Sequence, residues 1–180
     1  ITADVYLQVM RPRQKLWDLT AILSTELGAY FSNHPVDAVL VQGDTTSALI
    51  GGLSAFYHKI PVGHVEAGLR SHDRYSPFPE ELNRTLLSRI AQWHFAPTAH
   101  AADLLRSENI DNATIYITGN TVVDALHWMS RHLRHREIRP GILNGQRKLV
   151  LVTCHRRENI GLPMRSVALA IKHLADSHPE

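Results

Sequence analysis

The sequence predicts an α/β fold organised on a parallel, doubly wound sheet. Short apolar runs alternate with stretches of helical spacing along nearly the whole chain. One of those runs, Val39–Gln42, ends in a glycine followed by an acid and two hydroxyl residues, as expected at the carboxyl edge of a parallel strand, and further acids, a histidine and arginines stand in similar places. No internal repeat or low-complexity segment breaks the alternation.

Taken in order, Val5, Leu7 and Val9 alternate and predict a short strand over 3–10. Leu16, Leu19, Ile22, Leu23, Leu27 and Tyr30 fall at helical spacing and predict an amphipathic helix over 14–33. His34-Pro35 stops it, because the residue before a proline avoids the helical region. A strand is expected at 38–42 and a helix from Thr46 to Tyr57. The two glycines inside that helix, Gly51 and Gly52, weaken it and so point to close packing on the sheet. Ile60 to Val65 reads as the next strand, followed by Glu66-Ala67-Gly68. A proline-rich loop (Ser76-Pro77-Phe78-Pro79) leads to a helix from Glu80, with Leu82, Leu86, Leu87 and Ile90 expected on its buried side.

A strand at Trp93–Ala96, a helix over Thr98–Ser107 and a strand at Ile115–Ile117 come next. Thr118-Gly119-Asn120-Thr121 closes the last of these, with Thr121 and Asp124 as a capping pair for a helix from Val122 to His135. Residues 139–147 hold dense turn chemistry and read as a linker. After it come a buried strand at Leu149–Thr153, a loop at His155–Gly161 and a helix at 163–175. The expected domains are therefore 1–145, and 146–180 as the start of a second domain.

Composition narrows the function classes. Of 180 residues, 44% are hydrophobic and 20% charged, which suits a chain with its own core. A net charge of +2 gives no basis for binding nucleic acid or an acidic membrane surface. The basic run Arg131 to Arg136 sits at a helix C-terminus, where cations are favoured anyway. The single cysteine, Cys154, excludes an internal disulfide framework and fits a reducing cytoplasm. Its neighbour His155 would point to the opposite strand face, so a small buried thiol is expected rather than a nucleophile. His58, His94 and His100 lack metal-ligand spacing, so no metal is expected. The chain opens at Ile1 rather than Met and is expected to be a piece of a longer protein.

Chemistry concentrates at the strand ends. Asp44 comes after the buried run Val39–Gln42 in the turn Gly43-Asp44-Thr45-Thr46, where it is either a ligand-facing acid or part of a helix start. Glu66 ends the next strand, and Ala67-Gly68 beside it are small enough to leave room for a ligand. Glu80 begins a helix, where an acid complements the helix dipole and pairs with Arg84 at i,i+4. Adjacent strands would carry Asp44 and Glu66 to one edge, and crowded carboxylates suit removal and return of a proton. His155-Arg156-Arg157 lies between a predicted strand and a helix, an arrangement that binds anions. There His155 would protonate a leaving phosphate, against the alternative of a solvated basic turn.

In combination these motifs resemble the bacterial non-hydrolysing UDP-N-acetylglucosamine 2-epimerases. The resemblance runs through Gly43-Asp44-Thr45-Thr46, His64-Val65-Glu66-Ala67-Gly68-Leu69-Arg70, Pro79-Glu80-Glu81-Leu82-Asn83-Arg84, Thr118 to Leu126 and His155-Arg156-Arg157-Glu158-Asn159, in that order. It implies a glycosyltransferase-B-like architecture of two Rossmann-like domains facing a cleft. It also implies interconversion of UDP-N-acetylglucosamine and UDP-N-acetylmannosamine for cell-surface polysaccharides. UDP would leave to give a 2-acetamidoglucal and return after C2 is reprotonated, with no redox cofactor. Asp44, Glu66, Glu80 and His155 match the family's active-site residues, and Arg156 matches an arginine tied to nucleotide-sugar binding. Arg70 and Arg84, within the shared motifs, join it as candidate substrate-binding residues.

The family further implies a homodimer and a chain about twice this length. The first strand and its basic loop would precede Ile1, and most of the UDP-binding domain would lie beyond Glu180. At 180 residues the chain is then expected to be weakly active at best. The competing readings are a hydrolysing 2-epimerase, a glycosyltransferase of the same architecture, and an inactive fragment or non-catalytic nucleotide-sugar binder.

Overall fold

The computed structural model describes residues 2–133, 150–154 and 161–178. By contacts the chain divides into two compact units, 1–123 and 124–180. The expected linker at 139–147 and the junction between residues 145 and 146 lie outside the described residues.

The first unit is built on four parallel strands, β1 (Val39–Gln42), β2 (Val62–Val65), β3 (Trp93–Ala96) and β4 (Ile115–Ile117), lying in that order across the sheet. Helices α2 (Thr46–Tyr57), α3 (Glu80–Ile90) and α4 (Ala99–Ser107) connect successive strands, and α1 (Leu16–Asn33) packs on α2. This is the Rossmann-like parallel sheet with flanking helices that the alternation predicts, but the four strands run in sequence order without reversal, so the doubly wound arrangement is not seen among the described residues.

Register decides which face is covered. Val41 pairs with His64, His64 with His94 and His94 with Ile115, so these side chains share one face. On that face Val41 and Val62 pack with Ala48 and Ala55 of α2 and Leu87 of α3. Ala96 and Ile115 pack with Ala101, Ala102 and Leu105 of α4. Leu40 and Tyr116, on the opposite face, are exposed.

Local chemistry sets the helix starts. Thr45 Oγ1 accepts the Ala48 amide at 3.1 Å and caps α2, and Thr98 caps α4 in the same way. The glycines of α2 pack as expected: a Cβ on Gly52 would lie 2.7 Å from Leu87 Cδ2 and one on Gly51 3.3 Å from Val41 Cγ1.

Several expectations change. Residues 3–10 form no strand, because the Val9 amide turns back to the Leu7 carbonyl at 2.7 Å and only Val9 is buried, against Leu23 and Ile50. On α3, Leu87 is buried but Leu82 and Leu86 are 45% and 43% exposed. Glu81, Asn83, Arg84 and Ser88 take the inward positions instead. Residues 150–154 form no strand, and Val150 and Leu151 are exposed. A strand needs a neighbour for its backbone groups, and no described residue of the second unit supplies one. Cys154 is half-buried rather than buried.

In the second unit α6 (Leu162–Ser177) covers the helix expected at 163–175, and α5 (Thr121–Leu133) begins at the boundary between the units. Among the described residues no helix is long and apolar enough to cross a membrane.

The space that Ala67-Gly68 would leave for a ligand is filled by α4. Ala67 is fully buried, and a Cβ on Gly68 (φ +88°) would meet the Ala101 carbonyl oxygen at 2.2 Å. Gly68→Ala is expected to lower the unfolding free energy by about 2–4 kcal/mol, the cost of a left-handed alanine plus a backbone clash. Urea denaturation tracked by circular dichroism measures it, and an unchanged midpoint would mean that α4 is not held against this turn.

Candidate functional site

β1 and β2 end together, with Gln42 opposite Val65. Beyond Gln42 the chain turns at Gly43 (φ +70°), a conformation that glycine adopts without cost. Both sides of the Gly43 residue are held by β2. Its amide donates to the Val65 carbonyl at 3.0 Å, and its carbonyl accepts from His64 Nε2 at 2.8 Å. Asp44 comes next. Its carbonyl accepts from Asn83 Nδ2 of α3 at 2.8 Å, and its Oδ2 lies 3.5 Å from Arg84 Nε.

Glu66 stands just past β2 in a left-handed conformation, φ +68°. A non-glycine residue held there carries strain, and such residues cluster where a side chain is aimed at a ligand. Its Oε2 lies 3.6 Å from where a Cβ on Gly43 would stand. The carboxylate of Glu66 therefore reaches over to the turn that presents Asp44. Glu80 is half-buried at the first position of α3, one turn before the Asn83 and Arg84 side chains that contact Asp44. His155 and Arg156 lie outside the described residues.

The two arginines are engaged differently than their motifs suggest. Arg84 does not pair with Glu80. Its Nε is 3.2 Å from Glu81 Oε2 and 3.5 Å from Asp44 Oδ2, close enough for ion pairs although its N–H aligns with neither oxygen. Arg70 has a side chain only 2% exposed. Its guanidinium donates to both oxygens of Glu108 at 2.6 and 2.8 Å, to the Leu69 carbonyl and to Ser88 Oγ. With its donors committed in this way, Arg70 braces the loop after β2 against α3 and α4.

Three residues of the site escape sequence reasoning. His64 lies within a quoted motif, but its buried contact to Gly43 is visible only once β1 and β2 are in register. Asn83 and Glu81 sit on the helix whose leucines are expected to face inward. Glu81 receives the amides of Ser71 and His72 at 2.9 and 3.0 Å, and so organises the loop between β2 and α3. The adjacent acids Glu80-Glu81 are the available signal that one of them serves the fold. At α5 the cap also differs: Asn120 Oδ1 accepts the Val122 amide, while Thr121 Oγ1 accepts from Gln42 Nε2.

Burial shapes the titration of these groups. It lowers the His64 pKa to about 4, outweighing the bond to the Gly43 carbonyl, with the charges of His94 and Arg70 acting in the same direction. His94 is lowered for the same first reason. Burial alone would raise Glu81, but the Ser71 and His72 amides, the Ser71 hydroxyl and Arg84 together hold it below the usual carboxylate range. The Arg70 hydrogen bonds hold Glu108 low against its partial burial. Among the described residues no three His, Cys, Asp or Glu side chains come together as a metal site.

Comparison with known proteins finds similar sequences and similar folds. The sequence profile of the UDP-N-acetylglucosamine 2-epimerase family matches residues 1–180. The UDP-N-acetylglucosamine 2-epimerase of Neisseria meningitidis is 42% identical over 99% of this chain and 50% of its own length. The Bacillus subtilis enzyme is 45% identical over 97% of this chain and 45% of its own length. The crystal structure of a Neisseria meningitidis UDP-GlcNAc 2-epimerase bound to UDP-GlcNAc superposes with a TM-score of 0.94 at 42% identity, covering 99% of this chain and 50% of that one. An S. aureus MnaA–UDP co-structure superposes with a TM-score of 0.86 at 42% identity, covering 94% and 45%. The chain thus spans about half the length of these relatives.

The lowered His64 pKa fixes a sign. Unfolded, His64 binds a proton below about pH 6.5, whereas folded it stays neutral down to about pH 4. The unfolded state therefore binds more protons in that window, and stability falls as pH drops through it, by on the order of 3 kcal/mol from this residue. The depressed Glu81 and Glu108 add a further loss as pH falls through their folded values. In urea titrations at pH 7 and pH 4.5, His64→Gln is expected to shrink the stability difference by roughly 2 kcal/mol. An unchanged difference would mean that His64 is protonated in the folded protein.

Proposed function

This chain belongs to the UDP-N-acetylglucosamine 2-epimerase family, and we propose that it forms the carboxylate wall of a site that interconverts UDP-N-acetylglucosamine and UDP-N-acetylmannosamine. The observation that carries this reading is the meeting of Asp44 and Glu66 at one sheet edge, the first presented by the Gly43 turn and the second by a left-handed backbone. In this reading residues 1–145 supply most of one Rossmann-like domain, and 146–180 begin the UDP-binding domain of a glycosyltransferase-B-like architecture.

The chemistry asks for such a wall. Substrate and product share one oxidation state and differ only in configuration at C2. A carboxylate on one face removes the C2 proton; the electron pair left behind forms the C1–C2 double bond as the C1–O bond to UDP breaks. The 2-acetamidoglucal then takes a proton at C2 from the opposite face, and UDP returns to C1. Two or more carboxylates around one carbon supply a base on one face and an acid on the other. We assign this proton traffic to Asp44, Glu66 and Glu80. His155 and Arg156 would meet the charge on departing UDP, where hydrogen-bond donors contribute most. Arg84 would act from behind, holding Asp44 in place. The non-hydrolysing course, a homodimer and a cytoplasmic location complete the proposal.

The test incubates the full-length protein with UDP-N-acetylglucosamine in D2O and monitors C2 by NMR. Deuterium at C2 in both UDP-linked epimers is the expected result. Free N-acetylmannosamine would assign the hydrolysing reaction instead, and absence of exchange would reject the proton-transfer site. Asp44→Asn, Glu66→Gln and Glu80→Gln are each expected to reduce exchange by about 100-fold or more, the scale of a positioned acid or base, with the folded spectrum unchanged.

A further inference from the structure

The Gly43 turn is held by a side chain to which neither the motif resemblance nor the proton chemistry above gives a part. His64 is fully buried on the helix-covered face of β2. Its Nε2 lies 2.8 Å from the Gly43 carbonyl oxygen, which can only accept, so the ring carries its hydrogen on Nε2. That leaves Nδ1 buried as an acceptor with no hydrogen-bond partner. Protein interiors rarely keep such an atom, and an apolar residue of similar volume would avoid the penalty. A histidine with one orphaned nitrogen is a poor choice for packing alone. The use of this residue therefore lies in its other nitrogen.

We propose that His64 is a positioning residue whose Nε2–H, donated to the Gly43 carbonyl, fixes the spacing between the Asp44 and Glu66 carboxylates. One strand carries both ends of the connection. Glu66 stands two residues beyond His64, just past the end of β2, and Asp44 directly succeeds the carbonyl that His64 holds. The Gly43 amide is bound to Val65 of the same strand, so the turn is fixed to β2 on both sides. Release of the carbonyl would leave the turn on β2 by the Gly43 amide alone, with Asp44 drawn towards α3 by Asn83 and Arg84 and so able to shift relative to Glu66. A displacement of that kind costs rate far more than it costs binding.

The inference rests on the proposed epimerase reading. It is tested in the full-length protein with His64→Leu, His64→Gln and His64→Asn, by steady-state kinetics, C2 deuterium uptake and thermal unfolding. Leucine keeps the volume and loses the donor. Glutamine places an N–H near the position of Nε2, and asparagine carries the same amide on a side chain too short to reach. The expected result is a fall in kcat of about 10- to 100-fold for leucine and asparagine, with KM within about threefold of wild type, and recovery of most of that loss by glutamine. A folded His64→Leu protein with kcat within about twofold of wild type would overturn the inference. So would equal losses in glutamine and asparagine, and that pair decides the matter if the leucine variant does not fold. Wild-type protein without C2 exchange would overturn the epimerase reading and this inference with it, whereas active wild type with indifferent His64 variants would overturn this inference alone.

Discussion

The geometry of this sheet edge depends on one residue being held by its neighbouring strand. The amide of Gly43 is bound by Val65 and its carbonyl by His64, so the first residue after β1 cannot rotate without breaking a bond to β2. Glycine is favoured there because φ is +70°. This clamp sets the position of Asp44 and, through the common strand, its relation to Glu66. The Asn83 side chain adds a third attachment from α3. Two elements, β2 and α3, thus converge through three hydrogen bonds on two consecutive residues, which is the kind of over-determination that pre-organises a site.

The consequence of that convergence is visible in the core. The inward face of α3 carries Glu81, Asn83, Arg84 and Ser88, while Leu82 and Leu86 lie exposed. Inward polar groups are given partners: Glu81 takes two loop amides, Asn83 donates to the Asp44 carbonyl, and Ser88 accepts from Arg70. Such a network is stable only when nearly complete. Among the described residues, the buried side-chain atoms without a hydrogen-bond partner, His64 Nδ1 and Arg84 Nε, both belong to residues that contact the Gly43-Asp44 turn. Stability is given up near the site to hold charge and direction.

Much of this is legible in the sequence, and the features that are not share a cause. The bounds of α2 and the positions of β1 through β4 come from periodicity and turn residues, because those signals are local. The glycine pair Gly51-Gly52 correctly implies close packing, since contact with the sheet and α3 explains two glycines in one helix. Asp44 and Glu66 are predictable at one edge because parallel neighbours end together. The failures are non-local. Leu82 and Leu86 have helical spacing but lose the buried face to residues that answer charges on other elements. The pairing of Arg70 with Glu108, 38 positions away, has no local signal either. Gly68 looks like room for substrate until α4 is seen to fill it. A strand at 3–10 needs a partner that alternation alone cannot provide.

In the proposed reading, the Asp44–Glu66 edge is the place where C2 of a nucleotide sugar meets its carboxylates. The most direct measurement is a crystal structure of the full-length protein with UDP-N-acetylglucosamine bound. The expected result is C2 within about 3–4 Å of a carboxylate oxygen of Asp44 or Glu66, the separation of a reacting pair. A bound sugar whose C2 faces away from both, with the Gly43 turn intact, would contradict it.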